Sequence, residues 1–312
     1  MEKKLILAID GSKNSLTALD YVGRLFKNCP ETTLVLFHVL PSIPPIYKEE
    51  NSIDPLAQNH LAQWKEKQQE AIEGVLKKSK ERLIKSGWPE SQIQIRAQEK
   101  RIGIARDILF EAEKGIYDAV VIGRRGLSKV VELFLGSVSN KVIQGANELP
   151  VWVVGKKSAD SKILVAVDGS ENSKRAVDHL SFIIGSCKDE KMEILLLNIQ
   201  PGFITLSGPR IYPNLSAFPG SKDDYEKKII PFLDECEEML LEAGIDPRQI
   251  KRKIVLKSAD IGKAVLSEAQ KGNYETIVVG RRGISKAQEF FMGSISHNIL
   301  QQAGDKAVWI VG

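Results

Sequence analysis

Along the first half of the chain, short runs that are apolar at nearly every position alternate with longer stretches in which apolar residues return every three or four positions. Lys4 to Ile9, Leu34 to Leu40, Ile93 to Ala97, Ala119 to Ile122 and Val151 to Val154 are of the first kind and predict five β-strands. Asn14 to Lys27, with Leu16, Leu19, Val22, Leu25 and Phe26 in helical register, predicts the first helix. Asn59 to Lys85, Ile104 to Lys114 and Ser137 to Gln144 predict three more. Strands that are apolar on both faces and separated by helices imply a parallel sheet covered on both sides, the doubly wound α/β class. Ligands in that class sit beyond the carboxyl ends of the strands.

The whole pattern then repeats. Leu7-Ala8-Ile9-Asp10-Gly11-Ser12 returns as Val165-Ala166-Val167-Asp168-Gly169-Ser170, an offset of 158. Val121 to Gly155 returns as Val278 to Gly312 at an offset of 157, with 18 of the 35 positions identical. Cys29 matches Cys187, Tyr117 matches Tyr274 and Trp152 matches Trp309. Two copies of this length are too few and too long for a solenoid, so each is a complete domain. The expected division is 1–157 and 160–312, each a five-stranded parallel Rossmann-like sheet with helices on both faces, joined by the polar Lys156-Lys157-Ser158-Ala159-Asp160. In the second copy Pro231 is predicted to kink the long helix. The last strands are short, apolar and β-branched, edges that seek a partner.

Composition narrows the class without naming a function. Of 312 residues 43% are hydrophobic and 27% charged, and the net charge of +4 is too small to argue for a nucleic-acid partner. No apolar run approaches the roughly 20 residues of a membrane helix, and the short apolar start is a first strand rather than a signal peptide. The three cysteines, Cys29, Cys187 and Cys236, form no close pair in sequence. That argues against a disulfide framework or a zinc site. Cys29 and Cys187, near the end of the first helix of each copy, read as small buried thiols, and the expected location is cytoplasmic.

Candidate chemistry lies at the strand ends. After the fourth strand comes Gly123-Arg124-Arg125-Gly126, nine residues, then Gly136-Ser137-Val138-Ser139 opening a helix. The second copy has Gly280-Arg281-Arg282-Gly283, nine residues, then Gly293-Ser294-Ile295-Ser296. Glycines let a ligand approach the backbone, and the free N–H groups at a helix start favour an anion. Ser137 and Ser139 can add hydroxyl donors, and the arginines positive charge, to a phosphate cradle. The alternative, turn glycines and a capping serine, explains less well a loop of this length occurring twice. Asp10-Gly11-Ser12 and Asp168-Gly169-Ser170 can cap the following helix, and their carboxylates can also meet a ribose hydroxyl or a phosphate-bound metal.

The pattern Gly-x2-Gly-x9-Gly-Ser after a fourth strand, the first strand ending in Asp-Gly-Ser and the second ending in His38-Val39 resemble the universal stress protein family, once per half. The chain is similar to tandem-type members. The resemblance implies an ATP-binding protein of stress response or regulation, taking ATP, ADP or AMP with or without Mg²⁺. It implies that Gly123, Gly126, Gly136 and Ser137, with Gly280, Gly283, Gly293 and Ser294, hold the phosphates. Asp10 and Asp168 would lie near the ribose and phosphates, and the backbones of Val39 and Ile199 near the adenine. It also implies that the halves pair through the last strands, with Trp152 and Trp309 buried near the contact, and leaves room for a homodimer. Departures are Asn198 for His38, Ala307 for Pro150, and differing segments Pro41 to Pro55 and Pro201 to Pro219.

No catalytic residue is expected. His38, His60, His179 and His297 lie in unrelated contexts, and neither a Walker loop nor a Gly-x-Gly-x-x-Gly follows a first strand. Two other functional classes remain: a slow Mg²⁺-dependent ATPase or autophosphorylating protein using Asp10 or Asp168, and a nucleotide-free interaction scaffold.

Overall fold

The computed structural model describes residues 2–29, 31–43, 55–124, 135–155, 161–202, 222–258, 260–282 and 292–312. The first half contributes β1 (Lys3–Ala8), α1 (Lys13–Leu25), β2 (Thr32–Leu40), α2 (Pro55–Lys85), β3 (Ile93–Glu99), α3 (Ile104–Lys114), β4 (Ala119–Gly123), α4 (Ser137–Gly145) and β5 (Val151–Val154). The second half repeats this as β6 (Lys162–Ala166), α5 (Glu171–Ile184), β7 (Glu193–Pro201), α6 (Lys222–Glu242), β8 (Ile250–Ser258), α7 (Ile261–Lys271), β9 (Thr276–Gly280), α8 (Ser294–Gln302) and β10 (Ala307–Val311). The proposed linker, residues 156–160, and most of the segments after β2 and β7 lie outside the described residues. Helix α6 runs through Pro231 as one element.

Each half is a doubly wound parallel sheet, but the halves do not form two sheets. The strand order β3-β2-β1-β4-β5-β10-β9-β6-β7-β8 is one continuous sheet of ten. Every neighbouring pair in it is parallel except β5 with β10, which run antiparallel with Trp152 opposite Trp309. Side-chain alternation divides the core into two layers. Leu5, Leu7, Val121, Trp152 and Trp309 face one layer, which α1, α2, α5 and α6 cover. Ile6, Val120, Ile122, Val151 and Val308 face the other, covered by α3, α4, α7 and α8. Both layers run across the joint, so the two halves share their cores.

At the joint the stacked indoles of Trp152 and Trp309 lie 3.8 Å apart, with Phe26 stacked on Trp152 at 5.6 Å. Both tryptophans are fully buried, and each indole N–H is used across the joint. Trp309 Nε1 donates to the Tyr21 hydroxyl at 2.9 Å, and Trp152 Nε1 donates to His179 Nε2 at 3.2 Å. Tyr21 and His179 occupy equivalent positions of α1 and α5. The His179 ring accepts at Nε2, so its proton sits on Nδ1.

The joint also overturns the reading of the cysteines. Cys29 and Cys187, 158 residues apart, are bonded as a disulfide with a Cα separation of 4.2 Å. They follow α1 and α5 at equivalent positions, and the halves meet so that these two helix ends approach. Nearby, Lys188 N–H donates to Asn28 O at 3.2 Å and Lys3 Nζ donates to Ser186 Oγ. The inference of a reducing compartment rested on unpaired thiols, and that ground is gone. Cys236 is fully buried, and burial pushes its thiol up to about 12.

Two predictions follow from the joint. Folded, unreduced protein should give no thiol reactive to an aromatic disulfide reagent. Unfolding should expose one, Cys236, and reduction in denaturant should raise the count to all three cysteines. Three reactive thiols before reduction would refute the cross-link. The second concerns His179, whose imidazole burial pushes down to about 3. An unfolded histidine titrates near ~6.5. The folded value is depressed, so its contribution to stability is complete above the unfolded value and is lost as pH falls toward the folded one. Denaturant melts at pH 7 and 4.5 should show the wild type losing about 2.5 kcal/mol more than His179→Tyr, which installs the residue of the equivalent position.

Candidate nucleotide site

In each half the sheet reverses direction of winding between its first and fourth strands, and the segments of interest leave the sheet there. Leu7 pairs with Val121, so Asp10 and Gly123 emerge side by side beyond the carboxyl ends of β1 and β4. In the second half Ala166 pairs with Val279, and Asp168 and Gly280 emerge likewise.

The turn after β1 is built from its own side chains. Gly11 and Gly169 adopt φ of +76° and +83°, left-handed values that a side chain would strain. Asp10 Oδ1 accepts from Ser12 N–H at 2.9 Å, and Asp168 Oδ1 from Ser170 N–H at 3.0 Å. Ser12 and Ser170 are the N-caps, each accepting from the amide three residues on at 3.2 Å. Both aspartates are half-buried. Helices α1 and α5 are therefore closed at their starts by their own serines.

The helices after the glycine loops begin differently. Gly136 and Gly293 are the N-caps of α4 and α8 and carry no capping side chain. Their own amides donate to Arg124 O at 2.9 Å and to Arg281 O at 2.8 Å. Among the described residues, the first turns, Ser137-Val138-Ser139 and Ser294-Ile295-Ser296, have no N-cap side chain on their N–H groups. Ser137 and Ser294 are exposed, while Ser139 and Ser296 are buried.

Close approach explains the glycine that ends β4. A Cβ on Gly123 would stand 2.7 Å from the Asn14 main chain, and one on Gly280 would stand 2.7 Å from that of Asn172. The helix that follows β1 lies directly against these strand ends. Val39 and Ile199 are buried on β2 and β7. The ladder from β1 to β2 ends with Ile9 N–H donating to Phe37 O at 2.9 Å, so Val39 lies just past the reach of β1.

Two expectations need correction. Ser139 and Ser296 do not offer free hydroxyls, because they donate to Gly123 O at 2.9 Å and Gly280 O at 2.7 Å. The described contacts of the Arg124 and Arg281 guanidinium groups reach across to the other half rather than toward their own helix starts. Arg124 Nη1 donates to Leu300 O at 2.6 Å, and Arg281 donates to Ile143 O, Gln144 O and Ala146 O. Each side chain crosses to the last turn of a helix in the other half, where carbonyls carry the negative end of the helix dipole. Arg125, Gly126 and Gly283 lie outside the described residues.

The substitution of Asn198 for His38 turns out to conserve a bond. His38 Nδ1 lies 2.5 Å from Ile9 O, and Asn198 Nδ2 donates to Val167 O at 2.9 Å. A carbonyl can only accept, so Nδ1 carries the His38 proton, and burial lowers the pKa of the ring and keeps it neutral. Asn198 Oδ1 is free to accept from the buried Tyr225 hydroxyl at 2.8 Å, a bond that spacing along the chain does not suggest. Among the described residues no group of three or more His, Cys, Asp or Glu could hold a metal ion, and no helix is long and apolar enough to cross a membrane. A cleft of about 350 Å³ between α1 and α2, lined by Leu19, Arg24 and Arg82 among others, contains none of these site residues.

The fold and these strand-end turns define a tandem doubly wound α/β protein with one glycine-capped helix start at the switch point of each half. The universal stress protein family matches residues 1–155 and 161–311, and the chain belongs to that family. A relative, universal stress protein YxiE of Bacillus subtilis, is 26% identical over 147 residues, covering 45% of this chain and 92% of its own. The crystal structure of a universal stress protein from Archaeoglobus fulgidus superposes with a TM-score of 0.65 at 21% identity, covering 99% of this chain and 97% of the other. A universal stress protein solved in complex with cAMP matches 50% of this chain and 99% of its own, at 22% identity and a TM-score of 0.36.

The crowding at Gly123 generates a prediction. Gly123→Ala should destabilise the protein by about 1–3 kcal/mol, the usual cost of overpacking. Gly103→Ala, where a Cβ meets nothing within 4 Å, should stay within about 0.5 kcal/mol. Equal denaturation midpoints for the two variants, without any ligand present, would remove the packing role of Gly123.

Proposed function

We propose that the chain is an adenine-nucleotide-binding regulatory protein, with the domains 1–157 and 160–312 each holding one ATP, ADP or AMP. The observation that carries this reading is the contrast between helix starts. At each switch point one helix is closed by its own serine, while its neighbour opens on a glycine with no side-chain cap, and this occurs twice. Uncapped N–H groups and the positive end of a helix dipole fit a phosphate.

In the first domain the amides of Ser137, Val138 and Ser139 and the Ser137 hydroxyl would bind phosphate oxygens. Gly123, Gly126 and Gly136 would let the chain approach them. Asp10 would accept from the ribose, with Gly11 and Ser12 shaping its turn, and the Val39 backbone would meet the adenine edge. In the second domain Ser294, Ile295 and Ser296, with Gly280, Gly283 and Gly293, would take the phosphates. Asp168, Gly169, Ser170 and Ile199 would serve the nucleoside. Mg²⁺, where present, would ride on the phosphates and neutralise charge beside Asp10 or Asp168. The residues bind and orient, and the useful act is binding rather than turnover.

Glutamate at the first helical position tests this without weakening the helix, since a negative charge there is favourable to the dipole and hostile to a phosphate. Native mass spectrometry and calorimetry should find two ATP per wild-type chain and one each in Ser137→Glu and Ser294→Glu. The double variant should bind none. Two ATP retained by the double variant would overturn the site, and none on the wild type would favour the scaffold. Turnover above about 1 s⁻¹, the low end of ordinary enzymes, would favour the ATPase.

A further inference from the structure

The two arginines that reach across the joint are not merely interface residues. Arg124 donates its main-chain N–H to Val154 O at 2.8 Å and accepts at its own carbonyl from Gly136 N–H, the N-cap of α4. Its side chain meanwhile holds Leu300 O, in the last turn of α8. Arg281 repeats the arrangement in reverse. Its main chain bonds Val311 O and the N-cap Gly293 of α8, and its buried guanidinium donates to Ile143, Gln144 and Ala146 at the end of α4. The links close into a ring: start of α4, Arg124, end of α8, start of α8, Arg281, end of α4.

We propose that this ring of two helices and two arginines couples the two nucleotide sites, so that phosphate at the start of one helix favours binding at the other. The inference rests on the nucleotide reading above. Helices α4 and α8 have nine residues each, about 13 Å of stiff backbone, and each is anchored at its far end by the opposite arginine. An anion at the start of α4 reinforces that helix's dipole and polarises its hydrogen bonds. The carbonyls at its end then hold Arg281 more firmly. Arg281 in turn fixes Gly293, the residue that sets the amides of α8 facing the second site. The start of α4 is also tied directly to Arg124, whose carbonyl accepts from Gly136 N–H. Phosphate there steadies the guanidinium on Leu300 O at the end of α8 as well, and linkage makes the coupling reciprocal. A charge-assisted bond to several carbonyls is strong and directional, so the message passes through atoms in contact rather than by long-range field.

Hydrogen exchange on the full chain reads the coupling directly. In Ser294→Trp, whose bulk blocks the second site without placing a negative charge at the start of α8, ATP binds only the first site and should slow exchange at residues 137–139. It should also slow exchange at 299–303, in the other half, by about fivefold or more, the lower range of ordinary allosteric coupling. Adding Arg124→Met should abolish the effect at 299–303 and leave that at 137–139. Where a thermal melt shows that Arg124→Met does not fold, Arg124→Lys, which keeps the charge and loses the fork, should cut the distant effect by at least half. Slowing at 137–139 with none at 299–303, or distant slowing that survives the Arg124 variants, would overturn the ring while leaving the nucleotide site intact. Absence of any effect at 137–139 would bring down the nucleotide reading and this coupling with it.

Discussion

Everything distinctive about this chain depends on the antiparallel pairing of β5 with β10. A parallel sheet that stopped at β5 would leave four buried, apolar, β-branched or aromatic residues on an unpaired edge, which is a site for uncontrolled association. Pairing the edge with its own repeat satisfies both. The register puts Trp152 opposite Trp309, and that choice forces the rest. The indoles stack, their N–H groups reach Tyr21 and His179, and α1 and α5 converge until Cys29 and Cys187 meet. On the other layer α4 and α8 are brought close enough for each to receive an arginine from the opposite half.

The repeat is faithful where geometry demands it and loose where chemistry can be supplied in more than one way. Gly123 and Gly280 are the same residue because only glycine clears the main chain of the helix lying against it. Ser12 and Ser170 are alike in the job they do, each capping its helix by accepting from the amide three residues on. His38 and Asn198 differ because the requirement is only an N–H aimed at the carbonyl just past the first strand of each half. Tyr21 and His179 differ for the corresponding reason: either a hydroxyl or an imidazole nitrogen can accept from an indole.

Strand and helix placement was legible along the chain because the apolar period changes sharply at each boundary. Val151–Val154 and Ile104–Lys114 stand as the pattern marks them. The misses are of length: β3 continues to Glu99 because Leu40 pairs with that residue, a fact about its neighbour rather than about its own hydropathy. The pairing of Cys29 with Cys187 was not legible, since local spacing carries no information about two positions 158 residues apart. Their equivalence within the repeat was visible, and it matters only once a twofold joint is known. The arginines show the same limit. Position in the glycine loop placed Arg124 and Arg281 beside the cradle, but the direction of a long side chain is decided by acceptors supplied from the other half. Tyr225 was invisible because its partner Asn198 lies 27 residues away on another element.

The open helix starts gain their meaning from how the same helices end. A nine-residue helix has as many unpaired carbonyls at its end as unpaired amides at its start. At the ends of α4 and α8 those carbonyls meet a guanidinium donated across the joint. One pole of each helix is thus answered by a guanidinium of the opposite half, and the other begins on a glycine. Without the opposite half, either half would lose the charge at the far end of its own helix. Its own arginine would be left without the carbonyls that hold it. The candidate site is accordingly a property of the pair, built jointly by two halves that sequence comparison treats as separate copies.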